Sequence, residues 1–195
     1  MNEKESDEEL FRRFRAGDDA ALEALVRRHA RGAARFAGEI VRDAHEGEDV
    51  AQESFLKLVA ERPRPGGFDP ARGRFAPFFF RLVRNLALDR VRSRRGAALY
   101  LDAALEAEEE ASSGAAALLE RRERRERVSD SVRRLPDGER SALVLREFEG
   151  LSYRDIALVL GASLETVKVW IFRARQKLHA SLSAGAPEEG ARSGL

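Results

Sequence analysis

Eight arginines are concentrated in one short stretch of the sequence, and arginine is the side chain best suited to binding phosphate. They occupy positions 72, 74, 81, 84, 90, 92, 94 and 95, and Asp89 is the one acid between residues 72 and 95. Eight arginines less one acid give this stretch a local charge of +7, although the whole chain carries +1. Because the planar guanidinium pairs with two phosphate oxygens at once, this stretch indicates an anion-binding face.

A second group of residues could support acid–base or metal chemistry: Asp43, His45, Glu48, Asp49 and Glu53. Such side chains would suit a hydrolase or a nuclease. They fall on more than one helical face, however, and no nucleophile motif, glycine-rich phosphate loop or metal-ligand spacing accompanies them. The absence of cysteine excludes a disulfide scaffold, a thiolate nucleophile and cysteine-ligated metal sites. We therefore expect no enzyme activity, no cofactor and no metal.

Helices must position these residues, because Ala, Leu, Arg and Glu dominate the sequence and are strong helix formers. Apolar residues recur at steps of three and four before Gly17, over about residues 22–40, over about residues 46–60 and again after residue 75. Residues 62–73 concentrate Pro and Gly, which predicts a loop. Pro136, Asp137 and Gly138 predict a turn between later helices.

The composition also predicts where domains begin and end. Residues 96–118 are rich in Ala, Glu and Ser and can bury little surface, so they belong to a linker. We expect an all-α fold of two small helical domains joined by a flexible linker, the second domain being a helix-turn-helix. The predicted segments are a first domain over 1–95, a linker over 96–128, a second domain over 129–183 and a disordered tail over 184–195.

The most specific stretch, residues 150–178, reads as helix, tight turn, helix. Ser152 and Asp155 form a capping-box arrangement, Gly161 supplies a left-handed residue that ends the first helix, and Ser163 caps the second. The second helix places Val167, Ile171, Ala174 and Leu178 on its inner face. Its outer face is basic and rich in hydrogen-bonding groups, which is typical of a helix lying in the DNA major groove. The alternative is simple packing of two capped helices.

Two blocks of the sequence resemble the extracytoplasmic-function group of the sigma-70 family, the dissociable promoter-recognition subunits of bacterial RNA polymerase. The first block comprises residues 48–55 (EDVAQESF), residues 68–73 (FDPARG) and residues 75–90 (FAPFFFRLVRNLALDR). The second is residues 135–178, LPDGERSALVLREFEGLSYRDIALVLGASLETVKVWIFRARQKL. Two matched blocks in the right order, with a linker between them, are more specific than either alone.

The resemblance implies that the first block docks on the clamp helices of the polymerase beta-prime subunit and melts and reads the −10 element. The implied docking residues are Asp49, Gln52, Glu53 and Phe55. The implied −10 DNA residues are Phe68, Arg72, Arg74, Phe75, Phe78, Arg81, Arg84 and Asn85. Core packing is the alternative for Phe55 and for the other phenylalanines. Phe78 stands where similar factors commonly carry a tryptophan, and Pro77 before it fits the first turn of a helix.

The resemblance implies that the second block reads the −35 element. The implied −35 DNA residues are Tyr153, Arg154, Thr166, Lys168, Val169, Phe172 and Arg173. Trp170 could either pack against the preceding helix or cover a sugar. Arg175 could contact either phosphate or an acid of its own domain.

A stand-alone transcriptional regulator would use the same helix-turn-helix, with the first domain as a sensor or dimerisation unit. The QESF block and the arginine-rich helix favour a sigma factor instead, because a sensor needs neither. The expected partners are bacterial core RNA polymerase, through its beta-prime clamp helices and beta flap, and promoter DNA, with an anti-sigma factor as a further candidate. No apolar run approaches the roughly 20 residues of a membrane helix, and the acidic N-terminus is not a signal peptide, so we expect a cytoplasmic protein without membrane insertion.

Overall fold

The computed structural model describes residues 5–61, 68–69, 73–98 and 127–183, with only the backbone of residues 61 and 95–98. All regular structure in these ranges is helical, and the predicted all-α fold is confirmed. The predicted tail and most of the predicted linker lie outside these ranges, so the domain boundaries remain predictions. The helices are α1 (Asp7–Arg15), α2 (Asp19–Val41), α3 (Ala44–Glu61), α4 (Phe75–Ala98), an unlabelled helical stretch over residues 127–133, α5 (Asp137–Glu147), α6 (Tyr153–Leu160) and α7 (Leu164–Ser183).

Short polar side chains begin the first three helices. Ser6 accepts a hydrogen bond from the backbone N–H of Glu9 at 3.2 Å at the start of α1. Asp18 accepts one from Ala20 at 3.0 Å at the start of α2. Asp43 accepts one from the N–H of Glu46 at 2.8 Å in the first turn of α3. Each cap satisfies a backbone donor that has no partner inside its helix.

Helices α2 and α3 pack closely because glycine faces glycine at their contact. A Cβ atom added to Gly47 would lie 2.5 Å from the backbone nitrogen of Gly38 and 2.6 Å from the carbonyl oxygen of Ala34. No side chain fits at that distance. The two backbones therefore meet directly, which fixes α3 against α2.

Helix α4 packs on the first three helices through a cluster of aromatic rings. Pro77 lies in its first turn, as predicted. The rings of Phe75 and Phe79 stack at 5.6 Å between centroids, and Phe11 of α1 packs at 5.4 Å from Phe75. The fully buried large side chains of this unit are Phe14, Leu25, Phe36, Val50, Phe75, Phe79, Phe80 and Val83. We call helices α1–α4 the first unit.

Residues 127–183 form the second unit. The turn predicted near its start, at residues 136–138, is wrong. Pro136, Asp137 and Gly138 were expected to form a turn, but Asp137 begins α5 with Pro136 at the cap position. An aspartate in a first turn is favoured by the helix dipole, and proline just ahead of a helix costs no internal hydrogen bond. Gly138 lies under the ring of Trp170, where a Cβ atom would come within 2.8 Å of the indole. Trp170 therefore packs against α5, while the two roles considered for it, packing on the preceding helix α6 and covering a sugar, stay predictions.

The two units contact each other along two pairs of helices. Helix α5 lies against α2, and α6 lies against α4. The helix-turn-helix is therefore seated on the same helix that carries most of the arginine-rich stretch.

Candidate functional site

The helix-turn-helix is built by the capping residues that the sequence predicts. Ser152 accepts a hydrogen bond from the N–H of Asp155 at 3.1 Å, and the Asp155 carboxylate accepts one from the N–H of Ser152 at 3.3 Å. Gly161 ends α6 with φ 63°, a left-handed conformation that glycine adopts without strain. Ser163 then accepts from the N–H of Thr166 at 3.0 Å and starts α7.

Helix α7 buries one face and exposes the other, as predicted. Val167, Ile171 and Ala174 are each no more than 1% exposed. Phe172 is 61% exposed and Val169 is 44% exposed, so two large apolar side chains stand in water on the outer face.

The side chains predicted to read the −35 element lie on or beside that outer face. Lys168 and Arg173 are exposed there, and Arg154 is exposed on α6. Tyr153 is half-buried, with the Arg146 guanidinium 5.2 Å from its ring centroid. Thr166 is half-buried, and its hydroxyl lies 2.8 Å from that of Ser163. The structure thus assembles a basic and apolar face on α7, with Thr166 serving the cap.

Arg175 has an acidic partner in its own unit. Its Nε and Nη2 atoms donate to the Glu147 carboxylate at 3.1 and 2.6 Å. These hydrogen bonds raise the pKa of Arg175 above its usual value. Arg175 therefore ties α7 to the end of α5, which is the second of the two roles considered for it.

The arginines of the first unit divide into paired and unpaired groups. Arg90 donates to Glu53, Arg92 donates to Asp89, and Arg94 pairs with Glu46. Among the described residues, Arg81 and Arg84 form no ion pair. Burial, and after it the nearby charge of Arg92, lower the pKa of Arg84. An anion beside this guanidinium would offset the cost of keeping it charged. Asn85 is exposed beside them.

Arg74 has a partner in the second unit. Its Nη1 atom lies 2.7 Å from the Asp155 carboxylate, and its side chain is 67% exposed. The N–H of Phe75, the next residue, donates to the Glu8 carboxylate at 2.8 Å. Arg72, also predicted to contact −10 DNA, lies outside the described residues.

The aromatic residues predicted to receive −10 bases pack together beside the loop. Phe75 is fully buried and Phe68 is 9% exposed. Phe78 is half-buried and stacks on Phe68, with 4.8 Å between ring centroids. Of these three phenylalanines, Phe78 therefore exposes the largest share of its side chain at the surface.

The predicted docking residues lie on α3. Asp49 and Gln52 are exposed, and Glu53 is half-buried in its ion pair with Arg90. Phe55 is 8% exposed, and its ring lies 4.6 Å from that of Phe79. This burial places Phe55 in the core. Its docking on polymerase stays a prediction, and the burial argues against it.

The structure adds two apolar residues to this face of α3. Leu56 is 67% exposed and Val59 is 41% exposed. Together with Asp49 and Gln52 they follow steps of three, four and three along the chain, which place them on one side of the helix. The sequence shows this spacing, but it does not show that the side chains of Leu56 and Val59 are exposed. We call Asp49, Gln52, Leu56 and Val59 the α3 face.

The acidic residues considered for enzyme chemistry do not converge. Asp43 caps α3 and Glu53 pairs with Arg90. In the described part of the chain, no three His, Asp or Glu side chains are grouped so that they could hold a metal ion. Within the same ranges, no helix is long and apolar enough to cross a membrane.

Comparison with known proteins gives a consistent result over nearly the whole chain. Residues 25–97 match sigma-70 region 2, and residues 125–178 match sigma-70 region 4. The RNA polymerase sigma-H factor of Pseudomonas aeruginosa is 33% identical over 191 residues, covering 93% of this chain and 96% of that protein. The ECF RNA polymerase sigma-E factor of Escherichia coli K12 is 32% identical over 189 residues, covering 91% and 95%.

A solved structure supports the same assignment. CnrH, in complex with the cytosolic domain of CnrY, matches with a TM-score of 0.66 and 28% identity, over 93% of this chain and 100% of that one. The sequence blocks, the helix-turn-helix and these matches agree. The chain therefore belongs to the extracytoplasmic-function group of the sigma-70 family, and it is a promoter-specific transcription initiation factor rather than an enzyme.

Proposed function

We propose that this chain binds core RNA polymerase through the α3 face and then reads two promoter elements with its two units. The observation that carries the docking surface is the exposure of Leu56 and Val59 next to the polar Asp49 and Gln52. Exposed apolar residues rimmed by polar ones mark protein interaction sites. The partner surface we propose is the clamp-helix region of the beta-prime subunit, with the beta flap as a contact of the second unit.

In this proposal, α4 and the loop before it contact the −10 element. Arg81, Arg84 and Asn85 supply phosphate and hydrogen-bond contacts, because Arg81 and Arg84 form no ion pair within the described residues. Phe78 offers a ring at the surface on which an unstacked base can rest. Arg74 and Arg72 complete the basic face in this proposal.

In this proposal, the outer face of α7 contacts the −35 element. Lys168 and Arg173 contact base edges or phosphates, and Val169 and Phe172 contact apolar groups in the groove, such as thymine methyls. Arg154 and Tyr153 lie at the start of α6, beside the recognition helix, where phosphate contacts position such motifs.

A protein that masks these surfaces is a further proposed partner. CnrH was solved bound to the cytosolic domain of CnrY. We propose that an anti-sigma factor binds this chain in the same way, and that both act in the cytoplasm, where polymerase and promoter DNA meet.

Binding to core polymerase tests the docking surface. We expect Leu56→Asp and Asp49→Lys each to weaken binding of the labelled chain to core polymerase by tenfold or more, since losing a hot-spot contact at the centre of an interface costs about 2 kcal/mol or more. Lys57→Asp, an exposed neighbour on the same helix, serves as the matched control, and circular dichroism verifies folding. Unchanged binding by both α3-face variants would rule this surface out.

A further inference from the structure

Helix α1 lies beside the proposed −10 residues, although the sequence analysis placed no site residue in it. The match to sigma-70 region 2 begins at residue 25, after the end of α1. In the structure, α1 packs on α2 and on α4. Two of its side chains, Glu8 and Phe11, contact residues at the start of α4. The surroundings of the −10 site therefore include a helix that the family match does not cover.

Phe11 packs against three phenylalanines predicted to receive −10 bases. Its side chain is 6% exposed. The centroid of its ring lies 5.3 Å from that of Phe68, 5.4 Å from that of Phe75 and 6.3 Å from that of Phe78. Separations of roughly 4.5–7 Å are those at which aromatic rings attract each other. One ring of α1 thus contacts both Phe68, ahead of α4, and the first turn of α4.

The orientation of Phe78 depends on this packing. Phe78 stacks on Phe68 with 4.8 Å between ring centroids. Phe68 lies outside any helix, so side-chain contacts must hold it in place. Phe11 supplies one of these contacts, since its ring meets Phe68 edge to face at an interplanar angle of 68°. Loss of the Phe11 ring would leave Phe78 without a fixed neighbour to stack on.

Polar contacts fix α1 itself in position. The Asp7 carboxylate accepts a hydrogen bond from Arg28 of α2 at 2.6 Å and lies 2.8 Å from Nε2 of His29. Burial raises the pKa of Asp7, but the hydrogen bonds with His29 and Arg28 outweigh it, so the pKa lies below its ordinary value. Asp7 is therefore charged at neutral pH and anchors α1 to α2. Glu8, the next residue, accepts from the N–H of Phe75 at 2.8 Å and joins α1 to α4.

We propose that α1 is part of the −10 site and that Phe11 is a positioning residue within it. Phe11 holds Phe68 against Phe78 and so keeps the ring of Phe78 in the orientation that receives an unstacked base. A ring that is already ordered binds a base at a lower entropic cost than a ring that must be ordered on binding. Phe11 is too buried to contact DNA itself. The inference rests on the proposed function for the role of Phe78.

Two DNA fragments bound by the holoenzyme, core polymerase carrying the full chain, test this role. The first fragment holds a promoter that this chain transcribes, with its −10 element single-stranded. The second holds only the −35 duplex of the same promoter. We expect Phe11→Leu to weaken binding of the first fragment about fivefold, because stacking of a base on an aromatic ring contributes at least that much to affinity. Binding of the second fragment and of core polymerase should not change.

Phe36→Leu is the matched control for loss of a ring from the same core. Phe36 is fully buried in the first unit, and its ring packs on Phe80 at 5.9 Å. This variant loses the same atoms as Phe11→Leu but should bind both fragments as the unchanged chain does. Circular dichroism and urea denaturation measure the folding and stability of the two variants.

Glu8→Ala gives a second test that leaves the aromatic core filled. It removes the acceptor of the Phe75 N–H, so the first turn of α4 loses its contact with α1. We expect weaker binding of the −10 fragment and unchanged binding of the −35 fragment. Glu23→Ala, which breaks an exposed ion pair with Arg27 on α2, is its control and should change neither.

Phe78→Ala separates failure of this inference from failure of the proposed function. If Phe78→Ala weakens binding of the −10 fragment but Phe11→Leu weakens it no more than Phe36→Leu does, the positioning role is wrong and the proposed function stands. If neither Phe78→Ala nor Phe11→Leu changes that binding, the proposed role of Phe78 is wrong and the inference fails with it. An equal loss for both DNA fragments would also overturn the inference, because it would show a general loss of structure.

Discussion

Glu8 is a residue whose role is visible only in the folded chain. Its carboxylate accepts a hydrogen bond at 2.8 Å from the N–H of Phe75, the first residue of α4 and 67 positions further along the sequence. The first N–H groups of a helix have no partner within it, and a negative charge is favoured at that end. Glu8 thus caps, from another helix, the helix that carries Arg81, Arg84 and Asn85.

We expect Glu8→Gln to lower the free energy of unfolding by about 1 kcal/mol, as loss of a cap commonly does. Glu23→Gln, on an exposed i,i+4 pair with Arg27, should cost less than half as much. Urea denaturation followed by circular dichroism measures both. Equal losses for the two variants would show that the Glu8 contact does not stabilise α4.

The sequence locates the arginine cluster but does not separate its members. Arg90, Arg92 and Arg94 look the same as Arg81 and Arg84 in composition, and all were expected to share one basic face. Arg90, Arg92 and Arg94 form ion pairs with Glu53, Asp89 and Glu46 in turn. Their charges are therefore already matched within the chain. Because two of those acids lie on another helix, the pairing depends on how α3 meets α4, which periodicity alone does not give.

Among the elements, the pairing of α2 with α3 depends on two glycines. A Cβ atom on Gly47 would lie within 2.6 Å of backbone atoms of Gly38 and Ala34, which cannot move aside as a flexible side chain can. At Gly38, the nearest atom to an added Cβ is the carbonyl oxygen of Asp43 at 3.3 Å. The two positions therefore differ sharply in the space they offer.

We expect Gly47→Ala to destabilise the chain by about 2 kcal/mol or more, since overpacking outweighs the roughly 1 kcal/mol that alanine gains over glycine within a helix. Gly38→Ala should be much milder. Thermal unfolding compares the two, and a stabilised Gly47→Ala variant would contradict the close approach of α2 and α3. Binding to polymerase should fall with Gly47→Ala as well, because α3 carries the docking face.

Element by element, the helix-turn-helix was the most predictable part of the fold. Ser152, Asp155 and Gly161 cap a helix through contacts with residues close to them in sequence. Their types and spacing are therefore enough to predict their roles. Pro136 and Gly138 misled the prediction because the same residue types serve turns and helix starts. Gly138 also leaves room for the ring of Trp170, a contact with a residue over 30 positions away that local residue types do not predict.

At the scale of the whole molecule, the contact between the units carries a pH dependence. Burial raises the pKa of Glu149 and of Glu39 above their ordinary value of 4.5, although Arg35 and His29 near Glu149, and Arg140, Arg133 and Arg42 near Glu39, oppose the shift. The cost of burial outweighs the attraction of the arginines. If separation of the units restores ordinary pKa values, the form in which the units contact each other binds more protons than the separated form.

The contact between the units should therefore strengthen as the pH falls from neutral toward about 4.5, and weaken as the pH rises through the raised pKa values. Asp137, whose pKa is lowered by Arg140 and Arg42 against the cost of its burial, opposes this only below its ordinary value of 3.8. Because the chain has no cysteine, dyes attached at Glu23→Cys on α2 and His179→Cys on α7 can report the separation of the units and measure this effect. Glu149→Gln should remove part of it. Separation of the units as the pH falls from neutral to about 5 would contradict this sign.

The arrangement of the two units was beyond what the sequence predicts. It places Glu149 on Gly32 and Arg74 on Asp155, contacts that join residues about 80 or more positions apart. The residues that carry the family resemblance were recognisable because each block is read locally. The contact between the blocks depends on charges that look like ordinary solvated residues until the units meet.

The most direct test of the account is run-off transcription by core polymerase on a pool of random promoter fragments, with and without this chain. We predict transcripts that appear only with it and share two spaced upstream motifs. A variant with Lys168→Ala and Arg173→Ala should reduce them about tenfold or more, since each lost contact to a base costs about 1–3 kcal/mol. His179→Ala, exposed further along α7, should not. If no transcript depends on the chain, while the chain alone binds duplex DNA tightly, the central claim is contradicted.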